Sequence, residues 1–293
     1  DFPIILIYWH CRLRNGILQK RRCDPLDALN QIRKKIDAYD QELVQLFEKR
    51  MEAVLQVLSL KKEYKMPIFQ KEREEQVLKK AAENIQNPLF EAEAREFFET
   101  IMRISRKLQA RLLFPYNIVL IGFMGAGKSA VGKELSLLLE MELIDIDAYI
   151  EKEMKMTISD LFERYGEAYF RDREEEAVER ISKRKNCIIS CGGGVVLREK
   201  NIANLKKSGK VIFLEAKAET IYSRIQGDTT RPLLKGNMTI AAIQKKLKQR
   251  ESHYQRAADF TVSTDHKTER EIAQEIIALL CEASPAVEQN FCF

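Results

Sequence analysis

The stretch from Leu26 to Met66 constrains the fold more than any other part of this sequence, because it contains neither Gly nor Pro. Apolar residues recur along it at intervals of three and four, which predicts one helix of about 39 residues, about 58 Å long. Such a helix extends beyond any core that a domain of about a hundred residues builds alone, so we expect it to pack against a second chain in a homodimer. The apolar positions are Leu29, Ile32, Ile36, Tyr39, Leu43, Leu46, Val54 and Val57.

Two breaks divide the rest of the front region into further helices. Pro67 ends the long helix, and a second helix is predicted from about Gln70 to Asn84. A third helix follows the Asn87-Pro88 break and runs to about Leu113. The front region is therefore predicted to be all helix.

The hydrophobic period changes after FPY at positions 114–116. NIVLIG is a continuous apolar run, typical of a strand buried on both faces of a parallel sheet. Later apolar runs alternate with amphipathic helical stretches, which is the α/β pattern. These runs are ELIDID, NCIISCGG, KVIFLEA and DFTVST. We predict a multidomain chain: an extension of unknown status at 1–23, an all-α domain at 24–113, an α/β domain with a parallel sheet at 117–281 and a tail at 282–293.

Composition excludes several classes of function. With 45% hydrophobic and 32% charged residues the chain is globular. Residues 1–115 carry 22 Lys+Arg against 17 Asp+Glu and the remainder carries 27 of each, so no basic nucleic-acid surface is expected. FPIILIYW precedes basic residues, which reverses a secretory signal, and it is too short to span a membrane. Six cysteines without a C-x-x-C pair predict free thiols in the cytoplasm and no zinc site.

A glycine-rich loop follows the first predicted strand. Gly122-x-x-x-x-Gly127-Lys128-Ser129 stands between that strand and a predicted helix, the context in which this pattern binds nucleotide phosphates. Its glycines let backbone N–H groups point at phosphate oxygens, Lys128 reaches the terminal phosphates, and Ser129 can ligate Mg²⁺. The absence of an N-K-x-D signature argues against a GTPase and leaves a small-molecule kinase.

Three further features are candidates for the site of the phosphate acceptor. Asp145 and Asp147 end a predicted strand, where alternation places both carboxylates on one side, one for the metal and one for the acceptor hydroxyl. Arg171 follows Phe170, and three glycines at 192–194 follow another strand and allow close approach to a ligand. Singly, these features also fit a helix cap, a solvated charged face and a turn.

Together and in this order, the features resemble shikimate kinase over residues 117 to about 280. Arg231 in TTRPLL, Arg250 in Arg250-x-x-x-Tyr254, and Arg224 extend the resemblance. It implies ATP-dependent phosphorylation of the shikimate 3-hydroxyl with Mg²⁺.

By the same resemblance, Asp147 is the candidate base, Ser129 and Asp145 hold the metal, and Arg231 is a catalytic lid arginine. Shikimate is bound by Asp147, Arg171, Gly192, Gly193, Gly194 and Arg250, and ATP by Gly122, Gly125, Ala126, Gly127, Lys128, Ser129, Ala130, Arg231 and Lys267. A pair of arginines suits the planar carboxylate of shikimate. Cys191 stands where the family often has Thr.

Charged residues interrupt the apolar stripe of the long helix. Arg50 and Lys61 are eleven residues apart, almost three turns, so they share a face with the valines between them. Ser105 and Gln109 interrupt the stripe of the third helix in the same way. Because a buried charge needs a partner, either an interhelical ion pair or an anionic ligand accounts for this pattern.

The front region resembles the all-helical class of chorismate mutase. Seven residues fall on that family's active-site positions: Arg33, Arg50, Lys61, Arg73, Glu74, Ser105 and Gln109. The resemblance implies the rearrangement of chorismate to prephenate, a unimolecular step that needs no metal and no proton transfer. It assigns the substrate carboxylates to Arg33 and Arg50, the ether oxygen to Lys61 and Gln109, and the ring hydroxyl to Glu74, with Arg73 and Ser105 in support. Gln70 stands where the family often has Asp.

The chain is therefore interpreted as a bifunctional enzyme of aromatic amino-acid biosynthesis. One alternative is a shikimate kinase whose inactive helical domain binds chorismate or prephenate as a regulatory module. A broader alternative is a nucleotide-dependent interaction protein, which would consume ATP independently of shikimate.

Overall fold

The computed structural model describes residues 25–64, 66–226 and 239–283. The predicted extension at 1–23, the lid residue Arg231 and all but the first two residues of the predicted tail lie outside these ranges. Within them, no helix is long and apolar enough to cross a membrane.

The front region is helical, as predicted. α1 spans Pro25–Glu63, 39 residues, α2 spans Lys71–Asn84, and α3 spans Glu91–Leu113. A short 3-10 helix, Pro88–Phe90, precedes α3, and the Asn87 side chain accepts a hydrogen bond from the Leu89 N–H at its start. Pro88 suits this first position because proline lacks a backbone N–H, and an N–H there would have no helical partner.

Five strands form one parallel sheet in the order β2-β3-β1-β4-β5. They are β1 (Asn117–Ile121), β2 (Glu142–Asp145), β3 (Cys187–Ser190), β4 (Gly209–Glu215) and β5 (Phe260–Ser263). Every residue of β1 is buried, in agreement with its uninterrupted apolar sequence. The predicted α/β domain with a parallel sheet is confirmed.

Seven helices connect and cover these strands in the described residues. They are α4 (Lys128–Leu139), α5 (Ile146–Met154), α6 (Ile158–Ile181), α7 (Glu199–Ser208), α8 (Ala218–Ile225), α9 (Ile240–Ala257) and α10 (Glu269–Ala283). α6 is kinked at Gly166, where φ is +82°. The strand predicted over ELIDID is shorter than expected: it ends at Asp145, whose carboxylate caps α5.

Alternate residues of β1 belong to two cores. Ile118 and Leu120 pack in a core with α4 and α10, and Val119 and Ile121 pack in a core with α6 and α7. Leu58, Ile68, Ala110, Leu113 and Phe114 join the α4 and α10 core. The end of α1 and the end of α3 are thereby anchored to the α/β part.

The chain divides into two compact units, residues 1–52 and 53–293. In the first unit, the described residues are the leading part of α1, whose apolar stripe is open to solvent: Leu29, Ile32, Ile36, Tyr39, Leu43 and Leu46 are 41–62% exposed. The predicted domain boundary near residue 115 coincides with the change from α3 to β1. As a boundary between domains it stays a prediction.

Candidate active sites

The phosphate loop lies between β1 and α4. Gly127 is the N-cap of α4 and has φ of +93°, a left-handed conformation that only glycine adopts easily. Lys128 is buried, and its Nζ donates to the carbonyls of Gly122 and Phe123, 2.9 Å from each. The loop thus presents a lysine and a helix N-terminus to the same space, the arrangement that binds phosphate.

Asp145 organises the end of β2. Its Oδ1 accepts hydrogen bonds from the N–H groups of Asp147 and Ala148, at 3.1 and 3.2 Å. Its Oδ2 accepts from the hydroxyls of Ser129 at 2.8 Å and Ser190 at 3.0 Å. These clustered oxygens fit Mg²⁺, which prefers hard oxygen donors and takes only one or two ligands from the protein beside phosphates and water. Ser190 gave no signal in the sequence.

Contrary to the prediction, Asp147 is not positioned by strand alternation. It lies in the first turn of α5 and not on β2. Burial, and then the charge of Asp145, raise the pKa of Asp147 to about 6. A carboxylate with this pKa is ionised at neutral pH and is a better base than an ordinary Asp.

Arg171 on α6 is the centre of the predicted acceptor side. Arg171 is buried, and its guanidinium donates to Glu174 at 2.9 Å and to Glu167 at 3.0 Å. Glu174 is fully buried, and its Oε1 has no hydrogen-bond partner in the part of the chain that the structure describes. Burial raises the pKa of Glu174 to about 7, although Arg171 opposes the rise. Sequence analysis missed Glu174, because it is one of several consecutive acidic residues and only its burial distinguishes it.

The three glycines at 192–194 close this part of the site. A Cβ on Gly192 would lie 2.7 Å from Asp147 Oδ1 and 2.9 Å from Glu174 Oε1, and a Cβ on Gly194 would lie 2.3 Å from the Arg171 guanidinium. The Gly193 carbonyl accepts from Arg250 Nη1 at 3.1 Å and from the Tyr254 hydroxyl at 2.6 Å. Any larger side chain at 192 or 194 would displace the charged groups.

These groups line one cavity of about 640 Å³ at the carboxyl end of the sheet. Of the predicted kinase residues, it is lined by Gly125, Gly127, Lys128, Ser129, Ala130, Asp145, Asp147, Arg171, Gly192, Gly193, Gly194, Arg224 and Arg250. Gly122 and Ala126 are buried within the loop, and Lys267 Nζ bonds Glu275 at 2.6 Å. Cys191 is buried, and burial raises its thiol pKa well above the ordinary value, so it stays neutral.

Five of the predicted mutase residues lie in the second unit: Lys61 near the end of α1, Arg73 and Glu74 on α2, and Ser105 and Gln109 on α3. Ser105 and Gln109 are buried on one face of α3, and Gln109 Oε1 has no hydrogen-bond partner among the described residues. Lys61 Nζ donates to the Ile68 carbonyl at 2.6 Å; burial lowers the pKa of Lys61, and the charge of Glu74 opposes this. Lys61 also lines a second cavity of about 600 Å³, together with Leu58 of α1.

The remaining predicted mutase residues are less enclosed. Arg73 is exposed on α2, and Arg33 is exposed on α1. Arg50, also on α1, is partly buried, and burial lowers its pKa. Arg106, which sequence analysis did not select, binds Glu74 by both carboxylate oxygens.

Comparison with known proteins gives two families. Residues 124–281 match the family model for shikimate kinase, and residues 32–110 match that for chorismate mutase type II. The shikimate kinase of Caldicellulosiruptor bescii is 44% identical over 163 residues, which are 56% of this chain and 94% of that protein. That of Thermodesulfovibrio yellowstonii is 43% identical over 161 residues, 55% of this chain and 92% of that protein. The structure of shikimate kinase from Acinetobacter baumannii in complex with shikimate is similar with a TM-score of 0.57 and 35% identity, over 59% of this chain and 97% of that one.

Proposed function

Because the chain belongs to the shikimate kinase family and carries a chorismate mutase type II domain, we propose that it performs both reactions, each at the site described above. The α/β part phosphorylates the 3-hydroxyl of shikimate with ATP, and the helical region rearranges chorismate to prephenate. The two reactions belong to aromatic amino-acid biosynthesis. Free thiols at Cys187, Cys191 and Cys281 suit the reducing cytoplasm, where we place the enzyme.

The observation that supports the kinase assignment is one cavity that contains a phosphate-binding loop, a carboxylate base and an arginine. Lys128 binds the terminal phosphates, and Asp147 accepts the proton of the acceptor hydroxyl. Arg171 and Arg250, which lie beside Gly194 and Gly193, hold the acceptor's carboxylate. Ser129 and Asp145 would hold Mg²⁺, which would supply positive charge to neutralise the phosphates.

The kinase proposal is tested by ATP consumption of the purified chain. We expect consumption to depend on shikimate and to yield one phosphorylated product. ATP turnover that does not depend on shikimate would instead support a nucleotide-dependent interaction protein. Asp145→Ala should raise the Mg²⁺ concentration needed for activity, whereas Asp172→Ala, a surface change outside the cavity lining, should not.

The mutase assignment is supported by polar side chains buried on α3 among apolar neighbours. Gln109 Oε1 accepts no hydrogen bond from the described residues, so this buried amide is not fully satisfied by the chain itself and favours contact with a ligand. Holding a dicarboxylate in a compact conformer and stabilising the charge at the breaking ether oxygen are sufficient for this unimolecular step. Lys61 and Gln109 supply the donors for the ether oxygen, and Glu74 accepts from the ring hydroxyl.

The mutase site further requires a second chain. Arg33 and Arg50 are seventeen residues apart on α1, about 25 Å along a helix, which is too far for both to contact one small dianion. An antiparallel pair of α1 helices would cover the exposed apolar stripe and bring Arg33 of one chain beside Arg50 of the other. We therefore propose a C2 homodimer with two shared sites.

The regulatory alternative makes a different prediction for the same chain. A mutase assay of the full chain distinguishes catalysis from regulation. The conversion of chorismate to prephenate is followed by the absorbance of chorismate. If the wild-type chain turns over chorismate and the Arg50→Ala variant does not, the helical region is catalytic. Chorismate binding without turnover, accompanied by a change in kinase activity, would support a regulatory module.

A further inference from the structure

Arg106 on α3 lies between two carboxylates from distant parts of the chain. Its Nη1 donates to both carboxylate oxygens of Glu74 on α2, at 2.6 Å from Oε2, and its Nη2 donates to Glu140, just after α4. The three side chains are only 14%, 24% and 20% exposed in the order Arg106, Glu74, Glu140. Ion pairs with this little exposure are screened less than pairs on the surface.

Glu140 is also the residue that ends α4. Glu140 caps α4 in the left-handed region, with φ of +53°, where Gly or Asn is usual. A Glu there costs backbone free energy, and its carboxylate is engaged by Arg106.

A second contact supports the same guanidinium. Phe69, in the connection between α1 and α2, has the Cζ of Arg106 at 5.3 Å from its ring centroid and the Cζ of Arg270, on α10, at 5.5 Å. Arg106 is thus held by an aromatic ring and by two carboxylates. Its position is determined by α2, α3 and α4 together.

We propose that Arg106 is a positioning residue of the mutase, which orients Glu74 for the substrate and is itself held by Glu140 of the α/β part. This inference rests on the proposed mutase function. Each carboxylate oxygen has two acceptor sites, so Glu74 can bind Arg106 and still accept from a substrate hydroxyl. The mutase then depends on a residue at the far end of α4, the helix that begins at the phosphate loop.

The test is a set of single changes in the full chain, with both activities measured. Arg106→Met should lower mutase kcat/KM about tenfold, mostly through kcat, since a hydrogen bond to a charged group is lost and Glu74 is misoriented. Arg106→Lys should restore part of this loss, and Glu140→Gln should cost about threefold. Shikimate kinase activity should stay unchanged in all three, which also shows that the α/β part is folded.

Matched controls come from neighbouring ion pairs. Arg95→Met removes an exposed pair with Glu99 on the same helix, and Glu142→Gln removes an exposed pair with Arg184 two residues beyond Glu140. Both should leave the mutase within about twofold of wild type. An equal loss in these controls would overturn a specific role for Arg106.

A double-mutant cycle separates positioning from a general structural role. In a Glu74→Gln chain, adding Arg106→Met should change mutase kcat/KM by less than about twofold, because the group that Arg106 orients is altered already. Fully additive losses would overturn the inference while leaving the mutase function intact. A wild-type chain without mutase turnover would overturn both.

Discussion

The cavity of the α/β part and the leading part of α1 place their charged residues in opposite ways. In the cavity, Lys128, Arg171 and Glu174 are buried, and all three are bonded to groups of the same chain. On α1, Arg33 is exposed beside an apolar stripe that is itself about half exposed. A parallel sheet gathers strand ends and loops at one edge and so encloses a site within one chain, whereas a single long helix cannot enclose a ligand.

The largest expected effect comes from removing one activity and measuring the other, which tests whether the two sites are independent. Lys128→Ala should lower shikimate phosphorylation at least about 100-fold and spare the mutase, because it removes a cation that stabilises the transferring phosphate. Arg50→Ala should do the reverse. Loss of both activities from either change in a folded chain would mean that the two sites are not independent.

Gln109→Glu tests whether the mutase site stabilises negative charge. At neutral pH we expect a loss of about 100-fold, because an ionised Glu cannot donate to the ether oxygen and repels its developing charge. Activity should return as the pH falls toward about 5, where a protonated Glu donates. Gln109→Met, similar in size, should show no such recovery. An unchanged pH profile at good activity would remove Gln109 from the site.

The pH profile of the kinase tests the role of Asp147. Asp147 must be ionised to accept a proton, and its pKa is raised to about 6. Kinase kcat/KM should therefore be level above that pH and fall about tenfold per unit below it. Asp147→Asn should remove this acid limb together with most of the activity. If the residual activity of Asp147→Asn still fell at acid pH, the titrating group would be a residue other than Asp147.

The smallest expected effect tests whether the mutase site is shared between chains. Arg33→Ala and Arg50→Ala dimers should each be nearly inactive, but a mixed dimer has one site with both changes and one intact. After unfolding and refolding an equal mixture, half the dimers are mixed, so about a quarter of wild-type mutase activity should return. Mixing without subunit exchange should restore almost none. No recovery after verified exchange would place Arg33 within its own chain's site or outside it.

Local patterns in the sequence were sufficient for most of the architecture. The Gly- and Pro-free stretch corresponds to α1, and the change of period after residue 116 corresponds to the start of β1 at Asn117. The phosphate loop could also be predicted from the sequence, because its function needs glycines, a lysine and a hydroxyl at fixed spacings within a few residues. The predicted contacts of Arg33 and Arg50 remain predictions, because they depend on a second chain.

Three features were determined only by the tertiary structure. Asp147 belongs to a helix because the Asp145 carboxylate ends β2 and caps α5, which the alternation of ELIDID could not indicate. Glu174 differs from the acids around it only in its burial against Arg171. Arg106 joins Glu74 and Glu140, which are 66 residues apart in the chain. Hydrophobic period and short motifs are local properties of a sequence, whereas the partner and the pKa of a charged group depend on which distant residues the fold brings beside it.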